Sequence, residues 1–255
     1  MSSSPPVESV CPSTSVINPG CASRIPENRA NFSRASTNRL TRHDLGRFEG
    51  PSLFASLGRA VCEAGCLPRK ELFEAWEVAR RVRRLFRGGR VVDLAAGHGL
   101  LAHVLLLLDD SSPAAVAVDR QFPSSSATLH ETLTASWPRL RGRVTFHPGD
   151  LDAFAILPGD VVVSSHACGA LTDVVLDRAA SARARVAVLP CCHHLAAAGG
   201  RLAGWVDGAL ALDIARAQQL ELHGYRIWTQ SIAKGITPKA RLLLGAPRRG
   251  PSSGL

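Results

Sequence analysis

The run Val91-Val92-Asp93-Leu94-Ala95-Ala96-Gly97-His98-Gly99-Leu100-Leu101-Ala102 constrains this chain more than any other segment. Its first residues suit a buried strand, its last ones open a helix, and only small residues and one histidine lie between. Without bulky side chains at Ala95, Gly97 and Gly99 the backbone can turn tightly, and a ligand can lie against it and the helix N-terminus. Such a unit needs a sheet for its strand and a second layer for its helix. The rest of the chain supplies them: β-rich runs near residues 90–94, 114–119, 143–146, 160–165, 184–189, 225–230 and 241–245 alternate with helical ones, notably Gly208–Leu222. This alternation predicts an α/β fold whose mostly parallel sheet carries helices on both faces. Apolar residues at 45% suffice for one such core. The longest near-continuous apolar run, Leu100–Leu108, is broken by His103 and far too short to cross a bilayer, so no membrane partner is expected.

Upstream the character changes. Residues 1–45 are rich in Ser, Thr, Pro and Asn with almost no apolar periodicity, and are expected to be a disordered leader. Up to Arg39 they carry four arginines, no lysine, two acids and eleven hydroxyl side chains, which fits an ordinary leader and an organelle transit peptide equally. The expected location is cytoplasmic, or a chloroplast or mitochondrion if the leader is a transit peptide. Residues 46–89 form an N-terminal helical segment. Within it Leu72, Phe73, Trp76, Ala79, Val82, Leu85 and Phe86 recur at helical spacing after Pro68, with Glu71, Glu74 and Glu77 early and Arg80, Arg81, Arg83, Arg84 and Arg87 late. These arginines read as a solvated helix face rather than a phosphate grip. Residues 90–247 make the main domain and 248–255 a disordered tail. Seven cysteines in no regular framework point to free thiols in a reducing compartment.

Three acids stand at successive strand ends. Asp119, twenty residues beyond Gly99, is placed to accept the ribose hydroxyls of a nucleoside. Asp150, after His147-Pro148-Gly149, is placed to offer a carboxylate to an adenine amino group. Gly97-x-Gly99-x-x-Ala102 also satisfies a dinucleotide fingerprint, so a nicotinamide-dependent oxidoreductase stays open. Asp93 tilts the choice, because a carboxylate at the turn would repel a pyrophosphate and welcome a cationic ligand. Its alternative role is a buried helix cap.

Asp93-x-Ala95-x-Gly97-x-Gly99, Asp119 and Asp150 resemble motifs I, II and III of class I S-adenosylmethionine-dependent methyltransferases. Two further signatures, Ser165-His166-Ala167-Cys168-Gly169-Ala170-Leu171-Thr172-Asp173 and Pro190-Cys191-Cys192-His193-His194, resemble the family shared by methyltransferase-like 25 proteins, the glutathione S-transferase C-terminal domain-containing protein and the CHHC-finger tRNA ribose 2′-O-methyltransferases. The resemblance implies a Rossmann-like seven-stranded sheet in the order 3-2-1-4-5-7-6 with strand seven antiparallel. It also implies S-adenosylmethionine bound by Asp93, Ala95, Gly97, Gly99, Asp119 and Asp150, with His166 near the methyl group. Ala95 departs from the family's usual glycine, and the zinc-finger arrays of the tRNA enzymes are missing.

His166 and Cys168 follow the fourth strand and His193 and His194 the fifth, which offers a general base near neutral pH and names His166, Cys168 and His193 as catalytic candidates. Zinc held by Cys191, Cys192, His193 and His194 with Cys62 and Cys66 is set aside, because structural zinc sites use spaced pairs. The formal charge of +9, from 30 Lys and Arg against 21 Asp and Glu, favours an anionic acceptor such as RNA, with a protein acceptor open. Lys234, Thr237, Pro238, Lys239 and Arg241 bridge the last two strands and read as solvated hairpin charges or as a candidate basic rim. A catalytically silent binding module is the third reading.

Overall fold

The computed structural model describes residues 33–190, 193 and 205–248. Helices α1 (Leu53–Ala64) and α2 (Arg69–Leu85) precede strand β1 (Val91–Leu94). Then follow α3 (Leu100–Leu108), β2 (Ala115–Asp119), α4 (Ser126–Ser136), β3 (Val144–Pro148), β4 (Val161–Ser164), α5 (Leu171–Ser181), β5 (Arg185–Val188), α6 (Gly208–Leu222), β6 (Tyr225–Ser231) and β7 (Arg241–Pro247). The strands form one seven-stranded sheet in the order β3-β2-β1-β4-β5-β7-β6. β1 to β5 pair in parallel, and β7 runs antiparallel to both β5 and β6. Each expected strand is found within a few residues of its position, and α6 has the expected bounds.

Side-chain alternation decides which layer each strand residue feeds. Val92, Leu94, Val162, Val186 and Val188 pack with Val175, Leu176 and Ala179 of α5 and Leu220 of α6. The intervening residues, Asp93 among them, face the opposite layer, where α3 buries every residue from Leu100 to Leu107 and α2 packs along it. Tyr225, fully buried at the start of β6, closes the first layer: its hydroxyl sits 2.9 and 2.7 Å from the carbonyls of Ala179 and Ala184. Burial pushes that phenol up to about 12, so it stays neutral.

Parallel order sends the C-terminal ends of β1 to β5 to one edge. β6 runs antiparallel to β7, which is antiparallel to β5, so residues 232–240 between β6 and β7 return to that same edge. The turn after β1, the loops after β2 to β5 and the β6–β7 connection are therefore neighbours in space, as ligand-binding loops are in open α/β sheets.

Two expectations need correction. The leader was expected to stay unstructured to residue 45, but residues 33–45 are packed on the domain: Leu40 is fully buried and its N–H donates to Leu67 O at 2.9 Å. Arg69 N–H and Lys70 N–H donate to Asn38 O and Ser36 O, both at 3.0 Å. One apolar anchor and backbone pairing leave no periodicity for a sequence to show. Residues 1–32 and 249–255, the rest of the expected leader and nearly all of the expected tail, lie outside the described residues.

The late arginines are a solvated face only in part: Arg84 and Arg87 are exposed, but the others are engaged. Arg83 is buried, with Nη1 3.1 Å from Asp109 Oδ2 and Nε 3.1 Å from Leu105 O. Arg80 and Arg81 pair with Glu77, and Arg87 reaches Asp109 at 3.5 Å. Burial pulls the Arg83 guanidinium down to about 10 against the attraction of Asp109. Burial by itself would raise Asp109, but bonds from Ser111 and Gly88 and the charge of Arg83 outweigh it and hold the carboxyl at about 2. Breaking a buried pair strands its partner's charge, at a cost of about 3–5 kcal/mol. Asp109→Ala is therefore expected to lower unfolding stability by about that much in urea titration at pH 7, whereas Glu77→Ala, whose partners reach solvent, should cost about 1 kcal/mol or less.

Candidate active site at the C-terminal edge of the sheet

The turn after β1 is built from left-handed backbone. Ala95, Gly97 and Gly99 have φ of 55°, 54° and 75°. Gly99 has a second reason to lack a side chain, since a Cβ there would lie 2.9 Å from the Phe146 ring. At Gly97 an added Cβ would meet nothing within 4 Å, so this backbone faces open space. Ala95 adopts the conformation without glycine's freedom, which costs an alanine roughly 1–2 kcal/mol.

Carboxylates hold the turn from both sides. Asp119 Oδ2, half-buried at the end of β2, accepts the Gly97 N–H at 2.9 Å. Asp93 is 1% exposed and its Oδ2 accepts the Ala102 N–H at 3.2 Å, in the first turn of α3. The helix-cap reading of Asp93 is thus the one the geometry carries; it does not stand at the mouth of the turn. Burial first, and the neighbouring charge of Asp119 second, push its carboxyl up to about 8 against the pull of the Ala102 bond. Asp150 is exposed and paired with Arg120, so it reaches a ligand only by leaving that partner.

Next to the turn, His98 bonds Ser125 Oγ at 3.0 Å through Nε2, and its Nδ1 lies 3.9 Å from Glu71 Oε2. A recess lined by Glu71, Ala96, His98, Ser165 and His166 joins α2, the turn and the loop after β4. Burial lowers the pKa of His98, helped by Arg39 and His166 and opposed by Glu71. Neither Glu71 nor His98 was singled out from the sequence. No local pattern marks them, because they meet through the docking of α2.

His166 is half-buried and Cys168 exposed on the loop after β4. That loop is shaped by Ala167 N–H to Ser164 Oγ at 3.2 Å and Thr172 Oγ1 to Ala167 O at 2.6 Å. His193, beyond β5, bonds Asp213 Oδ1 of α6 at 2.8 Å through Nε2. Asp213 Oδ2 in turn accepts from Arg241 Nε at 2.6 Å. Arg216, also on α6 and buried, takes Asp173 in a two-point pair at 2.7 and 3.1 Å and donates to Gly169 O at 3.0 Å. A single network thereby ties the His166 loop to the His193 strand end. The sequence marked its histidines but not Asp213 or Arg216, which lie on a helix with no motif.

Cys62 and Cys66 are buried unpaired thiols in and after α1, Cys62 pushed up to about 12 by burial. Among the described residues no three His, Cys, Asp or Glu side chains are grouped to hold a metal, and Cys191, Cys192 and His194 lie outside them.

A carboxyl raised in the folded state favours folding in its neutral form. The Asp93 contribution is complete below its ordinary pKa of 3.8 and is lost as pH rises towards about 8. Asp93→Asn keeps an acceptor for Ala102 and removes the titration. The melting temperature of the variant relative to wild type should climb between pH 5 and pH 9; a constant difference would mean that Asp93 titrates as an ordinary carboxylate.

Residues 77–199 match a family model described as a methyltransferase domain. An O-methyltransferase family protein from Burkholderia thailandensis has the same fold, with a TM-score of 0.51 and 20% identity over 77% of this chain. The present chain spans 60% of that protein's length. A precorrin-6y C5,15-methyltransferase from Geobacter metallireducens is more distant, with a TM-score of 0.47, 13% identity, and 69% and 88% of the two chains covered. TrmK of M. capricolum, in complex with the cofactor product S-adenosyl-homocysteine, gives a TM-score of 0.45 and 13% identity over 69% of this chain and 70% of its own. No curated protein matches in sequence. The family match spans the turn after β1 and the loop after β4, and the sheet order is that of the Rossmann-like fold that the Burkholderia thailandensis protein shares.

Proposed function

We propose that the protein transfers the methyl group of S-adenosylmethionine to an RNA acceptor. The observation that carries the cofactor half of this reading is the left-handed turn at Ala95–Gly99, open above Gly97 and fastened to Asp119. The fit is good. A nucleoside has backbone to lie against at Gly97, and Asp119 keeps Oδ1 for ribose hydroxyls, its contact to Gln121 N being long at 3.4 Å. Asp93 supports the site by holding α3. The cofactor supplies an electrophilic methyl on a sulfonium. The protein has only to exclude water and align the acceptor, for which positioning alone can provide much of the rate.

The acceptor half rests on charge at the same edge. Lys234 and Lys239 are exposed on the β6–β7 connection and form no ion pair with a described acid, while Arg39 is exposed on the segment beside Pro68. Arg34 joins them: an added Cβ at Gly235 would lie 3.4 Å from its guanidinium. Of the rim expected from sequence, Thr237 is buried and Arg241 is engaged by Asp213, so neither is available to phosphates.

Titration with S-adenosylhomocysteine tests the cofactor site. Asp119→Ala removes hydrogen bonds to a charged acceptor, about 1.5–3 kcal/mol, and should weaken binding roughly 10- to 100-fold. Asp150→Ala, losing an exposed pair, should change it less than about 5-fold. Absence of binding to the wild-type protein overturns the reading. For the acceptor, replacing Lys234 and Lys239 by Glu should weaken binding to RNA and flatten its log–log salt dependence by about one unit per lysine; an unchanged slope moves the acceptor to protein.

A further inference from the structure

We infer that Asp213 is the positioning residue that fixes His193 as the proton acceptor for the methylated group. The inference rests on the methyltransferase reading for its reaction and on separate observations for its geometry.

The first is the tautomer. Asp213 Oδ1 lies 2.8 Å from His193 Nε2, and its other oxygen is occupied by Arg241 at 2.6 Å. A carboxylate between two such neighbours accepts from both. Nε2 must then carry the hydrogen, which leaves the imidazole lone pair on Nδ1.

The second is an unmade bond. The His193 side chain is 3% exposed, and its Nδ1 is a buried atom with no hydrogen-bond partner among the described residues. Leaving a buried acceptor unpaired is costly, and the cost is recovered when a bound group donates to it. A hydroxyl or amine of the acceptor is such a donor.

The third is place. Leu189 N–H donates to Ser164 O at 2.9 Å, so the chain leaving β5 starts beside the chain leaving β4 that carries His166. β1 and β5 are two strand spacings apart, about 10 Å, which puts the strand end leading to His193 within reach of a methyl group over the β1 turn. Every charged group named around the pair is accounted for: Asp213 and Arg216 from α6, Arg241 from β7 and Asp173 from α5. The two arginines hold Asp213 and the β4 loop in place, and Asp213 holds the histidine.

The step balances without another reagent. The acceptor's O–H or N–H proton passes to His193 Nδ1. The lone pair on that oxygen or nitrogen forms the bond to the methyl carbon, and the pair of the breaking carbon–sulfur bond stays on sulfur. The resulting imidazolium is compensated by Asp213, a role familiar from histidine–aspartate pairs in acyl transfer.

Nitrogen-15 NMR of histidine-labelled full-length protein tests this, with His193→Gln to assign the signal. Wild-type His193 should show the neutral tautomer protonated at Nε2, and its resonances should move on adding S-adenosylhomocysteine. Asp213→Asn should flip the tautomer, because Arg241 claims the amide oxygen and turns the NH2 towards Nε2. The flip reports the bond to Nε2, and the response of the His193 resonances to S-adenosylhomocysteine is the readout that a merely structural aspartate would not move. A wild-type ring protonated at Nδ1, a variant with unchanged tautomer, or no response to bound S-adenosylhomocysteine would each overturn the inference. If the variant does not fold, the wild-type spectrum decides alone. Failure to bind S-adenosylhomocysteine at all would instead fault the methyltransferase reading.

Discussion

The bond from Ala102 N–H to buried Asp93 holds the end of β1 to the first turn of α3. Much of the site follows from it. With β1 fixed in the centre of the sheet and α3 packed on one face, the residues between have little room, and the backbone crosses at Ala95, Gly97 and Gly99 in left-handed conformation. Asp119 then needs only to reach one strand over to fasten the Gly97 N–H. Two carboxyl groups thus shape one turn, and they differ in kind. The buried one is driven towards its neutral form and acts as a cap, whereas the half-exposed one keeps an oxygen for a ligand.

A second organising element lies on the other side of β4. Arg216 and Arg241 converge on Asp213, and Arg216 also grips Asp173 and Gly169 O. Loops that leave adjacent parallel strands have no backbone ladder between them, so their relative position must come from side chains. Here helix α6 supplies those side chains from a distance in sequence. The same logic holds at the N-terminal side, where α2 brings Glu71 to His98 and the pairing of residues 36–40 with 67–70 brings Arg39 to the same edge.

Some of this was legible in the residues themselves. The strand at Val91–Leu94, the small-residue turn and the acid at Asp119 are encoded within a window of about thirty residues, where period-two burial and glycine placement are local properties. Strand positions followed for the same reason. The packing of residues 33–45 was not legible, because a single leucine and backbone hydrogen bonds leave no periodic trace. The burial of Arg83 was not legible, because charge alone does not tell a solvated guanidinium such as Arg84 from one buried on Asp109, which lies beyond the next helix.

The sequence by itself determined the α/β class, the order of strands and helices and the turn that suits S-adenosylmethionine, since each depends on neighbours a few residues away. Only the tertiary structure decided that Asp93 is a cap rather than an exposed counter-charge, that Asp150 is engaged by Arg120, and that Asp213 stands behind His193. These are questions of burial and of pairing between distant segments, and both are set by how the layers pack rather than by any local run of residues.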